Sequence, residues 1–131
     1  MTDQTATATS IAASGLRAQA LRLRLVSENI ANADTPGYRR KTVSFEETFQ
    51  RSGEARAVAT GPVRLDQREL TRIYDPNHPM AGEDGYFEGS NVDLMVEIAD
   101  AREANRSYEA NLRMFEQARQ MASSLLDLLR R

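Results

Sequence analysis

Two stretches of the chain repeat apolar residues at helical spacing, and the stretch between them does not. From Ser10 to Ala33, the positions Ala12, Leu16, Gln19, Leu23, Val26, Ile30 and Ala33 follow alternating steps of four and three, the spacing of a coiled-coil seam. Gln19 is the one clearly polar member, and Arg17, Arg22, Arg24 and Glu28 fall off the stripe. This helix alone fits either an amphipathic helix packed on its own domain or a seam shared with other chains. From Val92 almost to the end, the same steps run through Leu94, Ile98, Ala101, Asn105, Tyr108, Leu112, Phe115, Arg119, Ala122, Leu126 and Leu129. Ser90 precedes that helix with Asp93 three residues on, an approximation to a capping box. At 1.5 Å per residue a helix over 92–129 is on the order of 55 Å long. A compact domain of this size has a radius of gyration of only ~14 Å, so the helix must protrude or lie beside other helices.

The middle, roughly Tyr38 to Gly89, is rich in glycine, holds three of the four prolines, and shows only short alternations. Val43 and Phe45, Val63 and Leu65, and Leu70 with Ile73 suit short half-exposed strands forming a small hairpin or irregular flap. The block EARAVATGP reads as loop, with Thr60 to Pro62 a turn. The Thr/Ala-rich start, Met1 to about Thr9, reads as disordered unless something holds it. The expected fold is mainly α: long N- and C-terminal helices pairing as a coiled coil around a small β/loop insert. Its segments are 1–36, 37–90 and 91–131, forming one structural unit. Closing the loop between the helices is affordable, since its entropy cost grows only logarithmically with length. Two helices bury one seam each, and further chains are the natural cover for the rest.

Composition sharpens this picture. The chain has 131 residues, of which 40% are hydrophobic and 27% charged. Ordinary domains carry ~45–50% apolar residues with glycine counted, so the core is expected to be thin. Net charge is -2, from 17 basic and 19 acidic residues, which argues against bulk electrostatic binding to nucleic acid or anionic membrane. Without cysteine, thiolate metal sites, disulfides and cysteine nucleophiles are excluded. No run approaches the roughly 20 apolar residues of a bilayer span. The first ten residues lack a basic region followed by an apolar one, so no cleaved Sec signal is expected.

Candidate chemistry is sparse. Asp75, His78, Glu83 and Asp84 cluster in YDPNHPMAGEDGY and prompt a metal or acid–base proposal. Pro76 and Pro79 bracket the only histidine, however, and the segment is made of turn formers. No GxSxG, GxGxxG or P-loop spacing is present. No catalytic residue, metal, cofactor or small-molecule substrate is therefore expected. The basic patches at Arg22–Arg24 and Tyr38–Lys41 fit salt-bridged or interfacial surfaces better than nucleic-acid contacts. Asn105 occupies a seam position, where a buried amide would fix register. Asn32 is placed to cap the last carbonyls of the first helix, and Asn111 to face solvent. Pro36-Gly37 predicts a type II turn.

SGLRAQALRLRLVSENIANADTPGYRR, through Ser14, Gly15, Leu16, Ala18, Asn29, Ile30, Ala31, Asn32 and Thr35 to Tyr38, resembles the N-terminal signature of bacterial flagellar rod, hook and hook-associated axial proteins. NRSYEANLRMFEQARQM, with Tyr108 to Asn111, is similar to its C-terminal partner, and YDPNHPMAGEDGYFEGSNVD narrows the likeness to the FlgC type of rod protein. Ser90 stands where such sequences commonly have proline, and the lead-in before Ile11 is long and threonine-rich. The resemblance implies a non-enzymatic proximal-rod subunit crossing the periplasm, stacked helically around a central channel and passing torque to the hook. It also implies export unfolded through the flagellar type III apparatus, without signal cleavage. Partners would be further copies and the FlgB, FlgF, FlgG and FliE types of rod protein, with the L and P rings as further candidates. A cytoplasmic coiled-coil adaptor or chaperone is the alternative.

The residues expected at subunit interfaces are Leu16, Leu23, Val26 and Ile30 on the first helix, with Asn29 and Asn32 at its end. Pro36 and Gly37 would reverse the chain and present Tyr38, Arg39 and Arg40 to a neighbour. On the second helix the expected residues are Ile98, Asn105, Tyr108, Asn111, Leu112, Phe115 and Leu126.

Overall fold

The computed structural model describes residues 2–49 and 56–130, with side chains described over 6–46 and 57–130. Two long helices, α1 (Thr2–Ala31) and α2 (Leu94–Leu129), enclose two antiparallel hairpins in sequence. The first pairs β1 (Lys41–Phe49) with β2 (Arg56–Leu65), and the second pairs β3 (Arg72–Tyr74) with β4 (Tyr86–Glu88). The fold is mainly helical with a small antiparallel insert, as expected.

The helices run antiparallel: Gly15 meets Asn111 at one level and Asn29 meets Glu97 at another. α1 is the only element packed on α2 among the described residues, and β1 and β2 pack on α1 as well. The first helix is thus covered from two directions, while much of the second is bare. The start is helical from Thr2 rather than disordered. α2 runs on past Asn111, alongside the part of α1 that precedes Gly15.

The buried apolar residues are Ala12, Ala18, Leu25, Val26, Ala104 and Ala118, mostly alanine. A core of methyl groups buries little area, and its stabilisation scales with that area. Close approach is its compensation. A Cβ added at Gly15 would lie 2.6 Å from Asn111 Oδ1, so the helices meet there only because Gly15 has no side chain.

The contact stripe is displaced from the expected seam. On α2 the members Ala101, Tyr108, Phe115 and Ala122 face partly inward, but Leu94, Ile98, Asn105, Leu112, Arg119, Leu126 and Leu129 are exposed. Their places are taken by the residue before: Glu97, Ala104 and Ala118 are buried, and Asn111 and Leu125 are half-buried. On α1, Ala12 and Val26 are buried as the seam predicts, Leu16, Gln19 and Leu23 are half-buried, and Ile30 is exposed; Ala33, half-buried, lies just past its end. Asn105 therefore cannot set register within the chain, and Asn111 packs between the helices instead of facing solvent, its Nδ2 donating to Ser107 O at 2.9 Å.

Other local expectations shift too. The cap of α2 is Asp93, whose carboxylate accepts from Met95 N at 3.0 Å; Ser90 instead donates to Ala33 O. Arg56 to Pro62 belong to β2 rather than to a loop, while Glu54 and Ala55 lie outside the described residues. Thr60 to Pro62 is a strand irregularity and not a turn. Thr60 pairs with Phe45 and Val63 with Val43, so Gly61 and Pro62 together face Ser44. That is a bulge, which tolerates a residue without an N–H.

Candidate functional site

The expected helix stop is built as a chain of hydrogen bonds. Asn32 Nδ2 donates to Glu28 O at 2.9 Å, capping α1 as predicted, and its Oδ1 accepts from Thr35 Oγ1 at 3.1 Å. Tyr38 N then closes on Thr35 O at 3.2 Å around Pro36-Gly37, with Gly37 at φ +75. A left-handed third residue after proline is the type II turn. Gly37 N also donates to Glu88 O and Gly89 O, at 3.2 and 3.1 Å, fastening the turn to the end of β4.

Below the turn lies a polar clasp. Asn29 and Glu97 are the largest fully buried side chains, at 1% and 0% exposure. The Asn29 amide fills its hydrogen-bonding capacity. Nδ2 donates to Lys41 O at 3.0 Å and to Glu97 Oε2 at 3.3 Å, while Oδ1 accepts from Lys41 N and Tyr38 Oη, each at 2.9 Å. It thus pairs with Lys41 much as a neighbouring strand would, and sets where β1 begins. Arg40 Nε donates to Glu97 Oε1, and Arg40 Nη2 to Asp100 Oδ2 at 2.6 Å. Arg22 reaches Asp100 and Glu103 at 3.5 and 3.4 Å. Asn91 Oδ1 accepts from Arg40 N at 2.6 Å, and its Nδ2 donates to Asp66 O and Arg68 O at 3.0 and 3.2 Å.

The electrostatics follow from these contacts. A buried carboxylate is tolerated only when paired and hydrogen-bonded, and Glu97 has both an arginine and an amide. Burial pushes the Tyr38 phenol above its ordinary value. The Glu28 carboxylate, 3.0 Å from Lys41 Nζ, raises that ammonium. Arg68 hydrogen bonds hold the Asp66 carboxyl below the usual carboxylate value.

The structure thus brings Asn29, Tyr38 and Arg40 together inside the chain, where sequence reasoning had them facing a neighbour. Arg39 is used internally as well, donating to Asp66 O and Arg68 O at 3.2 and 3.1 Å. Glu97, Asp100 and Asn91 went unnoticed in the sequence. Glu97 breaks no motif, and only its off-stripe position beside Ile98 marks it. Ser14 was also missed as a pin: its Oγ accepts from Val58 N at 3.0 Å and donates to Ile11 O at 2.6 Å, tying β2 to α1.

His78 is a turn residue. Its ring stacks on Phe87 with centroids 3.9 Å apart, and Nδ1 accepts from Met80 N at 3.1 Å. Among the described residues no group of three or more His, Asp or Glu side chains is placed to hold a metal ion. No helix there is long and apolar enough to cross a membrane.

The clasp joins two regions that match known families. Residues 10–39 match the family described as flagella basal body rod protein, and residues 83–128 match the flagellar basal body rod FlgEFG protein C-terminal family. The chain is 44% identical to the flagellar basal-body rod protein FlgC of Agrobacterium fabrum, over 98% of this chain and 97% of that one. It is 33% identical to the FlgC of Bacillus subtilis, over 91% of this chain and 94% of the relative. The corresponding values for Salmonella typhimurium FlgC are 32%, 90% and 92%. Likeness of this degree over nearly the full length, with both family-matching segments meeting at the clasp, places the chain in the FlgC family of flagellar basal-body rod proteins, structural subunits of the flagellum.

Proposed function

We propose that the chain is a subunit of the proximal rod, polymerising helically into the drive shaft that crosses the periplasm, surrounds the export channel and carries torque to the hook. The observation that carries this reading is the bare side of α2. Among the described elements that helix packs on α1 alone, yet it turns Ile98, Leu112, Leu126 and Leu129 to solvent at 44%, 37%, 51% and 77% exposure. A long apolar stripe of this kind calls for covering chains. Heterologous contacts that do not close generate helical filaments.

In this reading Ile30, Ile98, Asn105, Leu112 and Leu126 meet neighbouring subunits in a coiled-coil manner. Leu16, Leu23, Val26, Tyr108, Asn111 and Phe115 seat the helix pair. Asn29, Asn32, Pro36, Gly37, Tyr38, Arg39 and Arg40 act on assembly through the shape of the bend. Neighbours are further copies and the FlgB, FlgF, FlgG and FliE types of rod protein, with the L and P rings outside them. The subunit reaches the rod through the type III apparatus without signal cleavage, its three segments 1–36, 37–90 and 91–131 forming one unit, and needs no cofactor.

Deleting the gene in its host tests this. The mutant should lack hook and filament while keeping the membrane ring, and the protein should co-purify with basal bodies from the parent. A deletion strain that swims normally, or basal bodies free of the protein, would sink the reading.

A further inference from the structure

α2 carries two competing heptad stripes, one residue apart. The stripe in use runs through Gly15, Arg22 and Asn29 on α1, and through Glu97, Ala104, Asn111, Ala118 and Leu125 on α2. The stripe left over on α2 runs through Ile98, Asn105, Leu112, Arg119 and Leu126, all exposed, whereas on α1 Leu16 and Leu23 are half-buried and Ile30 is exposed. The second holds the larger apolar side chains. A turn of α2 by about 100° would exchange its two stripes. Apolar burial alone would favour that exchange, yet the structure pairs the small and polar stripe.

We propose that the buried clasp of Asn29, Arg40 and Glu97 selects the face that α2 turns to α1: it commits the small stripe to the intrachain contact and so keeps the large apolar stripe free for neighbouring subunits. Rotation would part Glu97 from both Asn29 and Arg40. The Asn29 amide is itself held to β1, because Lys41 N and O both end on it. Gly15 agrees with the choice, since its contact with Asn111 admits no side chain. Buried polar groups best attest to specificity in this way, fixing register where net stability gains little from them. The benefit of a free stripe rests on the rod reading; the selection itself is a property of the single chain.

The chain has no cysteine, so alkylation of introduced thiols can report the packed face. In the full-length parent, a thiol from Ala104→Cys should react at least about tenfold more slowly than one from Asn105→Cys, as a buried position opens only by local unfolding. Ala118→Cys and Arg119→Cys should repeat that order. Combining each with Asn29→Leu, Arg40→Leu and Glu97→Leu, which leaves Asp100 with Arg22 as its partner, should invert the ranking while circular dichroism stays helical. The milder Glu97→Gln should narrow the ratio without inverting it. An unchanged ratio in the clasp-free helical variant overturns the proposal. So does fast reaction at every position, which would mean that the clasp holds the fold and does not choose a face. In cells the clasp-free variant should accumulate but fail to restore motility to a deletion strain that the parent gene restores. Failure of the parent gene itself would instead strike at the rod reading.

Discussion

At the scale of single residues, the chain uses polar groups where a larger domain would use leucine. Asn29 makes four hydrogen bonds from one buried amide. Removing one neutral partner costs about 0.5–1.5 kcal/mol, and leaving buried partners unsatisfied costs more. Tyr38→Phe, which loses one bond, should lower stability by about 1 kcal/mol in urea unfolding, and Asn29→Ala should lower it clearly further. Tyr38 also predicts a pH response. Burial raises its folded-state pKa above the ordinary phenol value of 10.0, so above that pH the unfolded chain has released a proton that the folded chain retains. Stability should therefore fall as pH rises through the unfolded value, until the folded phenol ionises too. Thermal unfolding across that alkaline range checks it, and Tyr38→Phe should flatten the dependence. Gly15→Val forces a side chain against Asn111. A loss of about 1–3 kcal/mol is expected from overpacking, largely recovered when Asn111→Ala is added, as a double-mutant cycle would show.

At the scale of elements, the helices were legible in the sequence and their facing sides were not. Apolar spacing located both helices, and Asn32 and Pro36-Gly37 located the end of the first. The same spacing misjudged the seam by one residue on α2, because periodicity weighs hydrophobicity and cannot see that Asn29 and Glu97 will satisfy each other across 68 positions. The capping residue moved from Ser90 to Asp93 for a similar reason: Ser90 finds a better acceptor in Ala33 O, which is remote in sequence. Asp93→Ala should cost about 1 kcal/mol, the usual worth of an N-cap. Substitutions on the outward stripe should behave oppositely. Ile98→Asp or Leu126→Asp should leave thermal unfolding of the isolated chain nearly unchanged, because both side chains are already exposed, yet abolish rod assembly in a motility assay.

At the scale of the whole molecule, one helix pair with an alanine-rich contact and a hairpin on one flank makes a subunit that is only partly enclosed. In the isolated chain, hydrogen exchange should show fast exchange over the ends of both helices and slower exchange near the clasp. Protection should spread to the ends on polymerisation or with other rod proteins. Uniform strong protection in the isolated chain would count against an assembly-dependent fold. Local patterns in the chain determined that there are two long helices, where the first one stops, that the insert is short-stranded, and that no catalytic constellation stands out. Those features depend on neighbours within a few residues, and so are written in spacing. Tertiary structure alone decided which faces meet, that Tyr38 and Arg40 turn inward, and that α1 is helical from Thr2. The first two depend on partners dozens of residues away, whose buried hydrogen bonds outweigh a difference of a few methylene groups between competing stripes.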